Sequence, residues 1–295
     1  MTSVDAFVEG VHFRLATTSL RDLGHKCLAA SLSDLAAMGA GAGEAYLALG
    51  LPPNIGGREV LELVDGAEGL AAEVGVTICG GDVSASNELF VVVTAVGHAT
   101  SETDLVGRDG AHPGERVGVT GRLGGAGAGL LLLERKGHGL PVDIGERLID
   151  RQRRPRPLLE AGTALAGAGV SAMIDLSDGL ASDAQRISEE SGVALELKLG
   201  SLPIDEGVEA VADLAGASGV ELAATAGEDY ELLFTASEEA AANVAPAADG
   251  AGATVTWIGI TSSGAGVSLL DDRGIARQLV GWDHLATRTA GSHHT

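Results

Sequence analysis

The segment "VDAFVEGVHF", Val4 to Phe13, alternates apolar and polar positions well enough to predict a strand, and Leu20 to Met38 has the length and composition of a helix. "AYLALGL" (Ala45 to Leu51), "VTIC" (Val76 to Cys79) and "LFVVVTAVG" (Leu89 to Gly97) read as further strands, with a helix pattern between Arg58 and Val74. After His98 the stretch "ATSETDLVGRDGAHPGE" has the glycine, proline and charge content of a connection, and "RVGVTG" opens a new strand. A domain boundary is therefore expected near residue 110, giving units 1–110 and 111–295. Helices are expected around Gly124 to Lys136 and Pro157 to Ala168, then the strand "SAMIDL" and a helix in "SDGLASDAQRISEESG". "VALELKL", "YELLFTA", "TVTWIGI" and "GVSLLD" supply later strands with Ala-rich helices between them, so both halves read as α+β.

Composition narrows the function classes. With 295 residues and 45% hydrophobic content the chain can fill the cores of two domains. Its 19 Lys+Arg against 41 Asp+Glu give a net charge of −22, which repels nucleic acid and anionic membrane surfaces. Cys27 and Cys79 form no CxxC or zinc-spaced array, which fits a reducing cytoplasm. No apolar run reaches the roughly 18 to 20 residues that span a bilayer, and the N-terminus lacks a basic-then-apolar signal pattern.

Four acidic motifs carry the candidate chemistry. Asp5 stands in the opening strand ahead of Glu9 and His12; a solvated strand edge would also explain it. Asp34 in "SLSDLAAMGA" continues the stripe Leu23, Cys27, Ala30 at steps of 4, 3 and 4, so it must be hydrogen-bonded, paired or bound to a cation. In "CGGD" two glycines are expected to turn the backbone tightly at the end of a strand and present Asp82, as an ordinary β-turn also would. In "IDLSDGLASD" Asp175 ends a strand while Ser177 and Asp178 open a helix. An N-cap accounts for one of them but not for Asp175 and Asp178 together. Magnesium prefers oxygen ligands and is held by a few carboxylates together with substrate phosphates, and these aspartates are of that type. For the phosphates, "TGRLGGAGAG" offers a glycine-rich helix start. No GxxxxGK[ST] P-loop occurs, and the glycines at Gly125 to Gly129 lack dinucleotide-fingerprint spacing. Arg108 in the connector could clamp a phosphate or stand solvated.

Taken in order, "VDAFVEGVHF", "SDLAAMGA", "GGD", "GRDGAHPGERVGVTGRLGGAGAGL", "IDLSDGLASD" and "AGEDYELLF" resemble the thiamine-monophosphate kinases over nearly the whole chain. "VEGVHF" and "GEDYELLF" separate it from relatives in the same ATP-binding superfamily, such as aminoimidazole ribonucleotide synthetase. The resemblance implies a two-domain α+β subunit of the aminoimidazole ribonucleotide synthetase-like fold. It implies dimerisation through the N-terminal domains and a cleft for ATP and several magnesium ions.

Carried over by position, Asp5, Asp34, Asp82, Asp175 and Asp178 look like magnesium ligands, and Gly81, Asp82, Arg108 and Ser177 look like ATP contacts. His12, Glu228 or Asp229, and Trp282 look like contacts to thiamine monophosphate. Asp34, Asp82, Asp178 and Arg108 then carry the reaction, an in-line phosphoryl transfer in which the attacking phosphate is already ionised and needs no strong base. The resemblance also implies a preceding segment with a "GDDAA"-like motif that this chain lacks, and Val4 stands where the family has Thr. Two alternatives follow: a catalytically impaired nucleotide- and magnesium-binding remnant, or another ATP-dependent member of the superfamily.

Overall fold

A computed structural model describes residues 1–135 and 139–281. Its first half contains β1 (Thr2–Val8), α1 (Leu20–Ala37), β2 (Gly41–Leu51), α2 (Gly57–Val74), β3 (Thr77–Ala85) and β4 (Phe90–His98). The strands form one sheet in the order β1-β4-β2-β3, antiparallel except for the parallel β2–β3 pair. Leu23, Cys27, Leu28 and Leu32 of α1 share a core with Leu63 and Leu70 of α2 and with Leu47, Val91 and Val93 of the sheet. The two helices approach closely because Gly24 and Gly66 lack side chains. A Cβ on Gly24 would lie 1.9 Å from the Leu63 carbonyl oxygen, and one on Gly66 would lie 1.8 Å from that of Arg21. The other face of the sheet is open: Val4, Tyr46 and Val83 are exposed, as is nearly all of β3.

The second half adds β5 (Arg116–Thr120), α3 (Gly125–Glu134), α4 (Val142–Arg153), α5 (Leu159–Gly167), β6 (Ala172–Asp175), α6 (Leu180–Ser191) and β7 (Val193–Lys198). Then come α7 (Val208–Ala215), α8 (Gly219–Thr225), β8 (Leu232–Ala236), α9 (Glu238–Gly250), β9 (Val255–Ser263), β10 (Gly266–Leu270) and β11 (Ala276–Arg277). Seven strands form a mixed sheet ordered β11-β10-β7-β9-β5-β8-β6. One core lies between this sheet and α6 and α8, a second between it and α5 and α9. A smaller cluster joins α3, α4 and α7. Helix α1 packs on α2 and β4 of its own half and also on α5 and β6 of the other, which explains why it is buried almost all round. None of the helices among the described residues is long and apolar enough to cross a membrane.

The α+β reading holds, with three local corrections. The opening strand stops at Val8, because the chain reverses through Gly10 (φ +79°) and returns to bridge Glu9 with Phe13, which puts His12 in a turn. "CGGD" is no turn: β3 runs through it to Ala85. Cys79 bulges out between the pairs Ala45–Ile78 and Tyr46–Gly80, and Gly81 sits where a Cβ would meet the Leu47 carbonyl oxygen at 1.8 Å. Ser177 and Asp178 do not open α6 either. They occupy a loop, Gly179 precedes the helix, and Asp183 reaches back to accept the Asp178 N–H at 3.0 Å.

Candidate active site

A cavity of about 730 Å³ opens between the two sheets. One stripe of α1, Lys26, Ala30 and Asp34, lines it at four-residue steps. Asp5 comes from β1 and His12 from the turn after it. Arg108 comes from the connector, Asp175, Ser177 and Asp178 from the loop after β6, and Glu228 from the segment entering β8.

At one end three carboxylates converge from β1, α1 and β6. Ser3 Oγ donates to Asp34 Oδ2 at 2.5 Å and to Asp5 Oδ2 at 3.3 Å, while Ser33 Oγ donates to Asp175 Oδ2 at 2.7 Å. Asp175 is only 3% exposed. Burial pushes its pKa up to about 7, the charges of Asp34 and Asp5 add to the rise, and Ser33 and Arg108 oppose it. Asp5 is raised too, by burial and then by Asp34. These carboxylates are therefore held by hydroxyls and sit in mutual repulsion. Among the described residues no group of three or more His, Cys, Asp or Glu forms a ready-made metal cage. Three carboxylates with too little counter-charge are of the kind that suits a hard cation such as magnesium, which would take its other ligands from phosphate oxygens and water.

Asp178 is ion-paired with Arg186, which also lines the cavity. Asp82 and Gly81 are not among the described lining residues. They lie on β3 at the opposite edge of the first sheet from Asp5, and Gly81 falls in the row Asp5–Val93–Leu47–Gly81. Three strand spacings put that edge about 14 Å away.

At the other end, Val8 N–H donates to His12 Nδ1 at 3.0 Å, which makes Nε2 the protonated nitrogen of a neutral ring. The "GEDY" backbone runs beside the acidic loop, with Glu228 N–H on the Ser177 carbonyl at 2.9 Å and Tyr230 N–H on that of Leu176 at 3.0 Å. Glu228 turns into the cavity and meets Lys26 Nζ at 2.6 Å. Asp229 turns away: its carboxylate accepts the N–H groups of Gly124 at 2.6 Å and Ala126 at 3.0 Å, at the start of α3. This settles which neighbour faces the cavity. Two N–H groups at the start of the glycine-rich segment are thereby taken by a side chain, while Gly127 of the same segment lines the cavity. Trp282 lies outside the described residues.

The sequence aligns along its length with two known domain families. The AIR synthase related N-terminal domain matches residues 1–99 and the corresponding C-terminal domain matches residues 112–272. A thiamine-monophosphate kinase from Methanopyrus kandleri is 39% identical over 221 residues, covering 74% of this chain and 68% of that one. The chain belongs to the thiamine-monophosphate kinase family. The kinase of this family from Stenotrophomonas maltophilia superposes with a TM-score of 0.83 at 32% identity, covering 94% of this chain and 86% of that one. AaThiL complexed with AMPPCP and TMP superposes with a TM-score of 0.85 at 30% identity, covering 96% and 86%.

Sequence reasoning about the family missed Lys26, Gln152, Arg186 and the two serines, Ser3 and Ser33. Lys26 had a signal. It is two turns from Asp34 on an apolar helix, a spacing that places both on one face with Ala30 between them. Gln152 and Arg186 come from helices with ordinary polar faces and carry no comparable mark.

Proposed function

We propose that this chain transfers the γ-phosphate of ATP to thiamine monophosphate, forming thiamine diphosphate. The observation that carries the reading is the two-ended cavity. Asp5, Asp34 and Asp175 with Arg108 form a polyphosphate end, and His12 and Glu228 form a heterocycle end. The likeness to AaThiL complexed with AMPPCP and TMP supports a nucleotide and thiamine monophosphate as the two substrates.

Asp5, Asp34 and Asp175 would hold magnesium, with Asp178 joining once Arg186 releases it. The metal supplies charge neutralisation and alignment of phosphate oxygens. Arg108 faces the transferring group and offsets its charge, and Ser177 borders the nucleotide. The acceptor is an ionised phosphate, so the side chains need to exclude water, orient the two phosphates in line and stabilise charge; no proton has to be removed.

Asp82 and Gly81 are assigned to the nucleotide through a second copy. The exposed strand β3 and the open sheet face are an unpaired edge and an apolar surface of the kind that pairing between subunits covers. We place the protein in the cytoplasm, in keeping with its two free cysteines.

The test is a coupled assay with ATP, magnesium and thiamine monophosphate, following ADP and thiamine diphosphate together. Stoichiometric product that vanishes with chelator and in Asp34→Asn supports the reading. ATP binding without any turnover of thiamine monophosphate refutes it.

A further inference from the structure

Glu228 is held on three sides at the meeting of α1, α4 and the segment entering β8. Lys26 Nζ lies 2.6 Å from its Oε1, and Gln152 Nε2 donates to its Oε2 at 2.7 Å. Its backbone is in the left-handed region (φ +69°), unusual for a residue with a side chain, and is fixed by the N–H bond to Ser177. Gln152 keeps its amide on Glu228 even though Gln152 Oε1 is then buried with no partner among the described residues. Lys26 is itself only 3% exposed. All three residues line the cavity.

A buried lysine in a cavity for two phosphorylated substrates would ordinarily be read as a phosphate ligand. Here its charge is met by a carboxylate at ion-pair distance. It also stands two helical turns from Asp34, roughly 12 Å along α1, at the end away from the acidic cluster.

We infer that Lys26 and Gln152 are positioning residues that hold the Glu228 carboxylate as a fixed acceptor for the N–H donors of the substrate's aminopyrimidine. The inference rests on the thiamine-monophosphate reading. Each carboxylate oxygen has two lone pairs. Lys26 uses one on Oε1 and Gln152 one on Oε2, which leaves a neighbouring pair of acceptors in a defined orientation. Pairing also makes the group neutral overall, so it does not repel the polyanion that enters the same cavity. A free glutamate would lose this orientation and lie in a charged form that the half-buried site disfavours.

The experiment compares wild type, Lys26→Met, Lys26→Arg, Glu228→Gln and the double variant Lys26→Met/Glu228→Gln. It measures calorimetric Kd for thiamine monophosphate with AMPPCP present, together with kcat and both KM values. Lys26→Met is expected to weaken thiamine-monophosphate binding about tenfold, the size of one hydrogen bond to a charged group, with kcat and the KM for ATP near wild type. Lys26→Arg should restore most of the loss. The double variant should bind no more weakly than Glu228→Gln alone, because Lys26 then has nothing to position. It leaves no buried charge unpaired, so it keeps the comparison available if Lys26→Met fails to fold. Additive losses, or a fall in kcat or ATP affinity in place of thiamine-monophosphate binding, would overturn the inference and mark Lys26 as a phosphate ligand. A wild-type protein that neither binds nor phosphorylates thiamine monophosphate would overturn the substrate reading itself, and this inference with it, before any variant is compared.

Discussion

Two groups of buried and half-buried carboxylates in this molecule are built on opposite terms. Beside the start of α3, Asp229, Glu231 and Asp205 face two arginines. Arg151 reaches Glu231 at 3.3 Å, Asp229 at 3.7 Å and Asp205 at 3.8 Å, and Arg147 meets Asp205 at 2.6 Å. Backbone N–H groups and Thr120 take further lone pairs. At the cavity, Asp5, Asp34 and Asp175 have serine hydroxyls and one exposed arginine. In the first group the counter-charges offset part of the cost of burial, whereas the second keeps a charge for a ligand to meet. Acidity alone did not distinguish them. The counter-charges do.

The contrast breaks most visibly at Arg151. Arg151→Met leaves Asp205 with Arg147 but Asp229 and Glu231 without an arginine, and removing one side of a buried ion pair costs about 3–5 kcal/mol. Denaturant unfolding should show that loss, while kcat per folded molecule stays at the wild-type level. A similar loss of kcat in the folded fraction would mean that the cluster takes part in the reaction.

The same cluster predicts a pH dependence of up to about 3 kcal/mol, at 1.36 kcal/mol per pKa unit. Burial raises Asp229 from 3.8 to about 6, against the pull of Arg151 and the α3 N–H groups. A carboxyl whose folded pKa lies above its unfolded one binds more protons when folded, so its contribution is full below pH 4 and is lost as pH rises towards 6. Wild type should therefore lose stability relative to Asp229→Asn between pH 4 and 7, read as converging or diverging Tm values. A constant difference across that range would show that Asp229 is ionised throughout.

At the cavity the stability effect runs opposite to that of Arg151→Met. Asp34→Asn removes a charge that raises both Asp5 and Asp175, so the variant should be as stable as wild type or more so. Its kcat/KM should fall roughly a hundredfold, as for loss of one electrostatic contact to a transition state. Lower stability together with retained activity would move Asp34 into the structural class.

Much of the fold that carries these groups was legible in the sequence, and the unread part has physical causes. The helix carrying Asp34, the strand ending at Asp175 and the later strands follow from periodicity, which depends on neighbours in the chain. The "CGGD" turn was misread because glycine pairs serve turns and close strand pairing equally well; only the Leu47 carbonyl against Gly81 decides between them. Glu228 and Asp229 could not be told apart, since their directions depend on Lys26 in α1 and on the N–H groups of α3, both far away in sequence. Asp82 remains the largest gap: the motif joins it to the other aspartates, and the sheet puts it three strands from Asp5.

The finest test of the contrast is Ser33→Ala. Among the described residues Ser33 gives Asp175 its one side-chain hydrogen bond, at 2.7 Å in a fully buried setting. In the compensated cluster the loss of one hydroxyl, Thr120 for instance, leaves Glu231 with Arg151. At Asp175 nothing equivalent remains among the described residues except the exposed Arg108. A hydrogen bond to a charged group contributes about 1.5–3 kcal/mol, so Ser33→Ala should lower kcat/KM about tenfold and raise the magnesium concentration needed for half-maximal rate. Thr120→Ala should leave both quantities unchanged and appear only in stability. If the two hydroxyl deletions behave alike, the acidic end of the cavity is as well compensated as the α3 cluster, and its charge is structural after all.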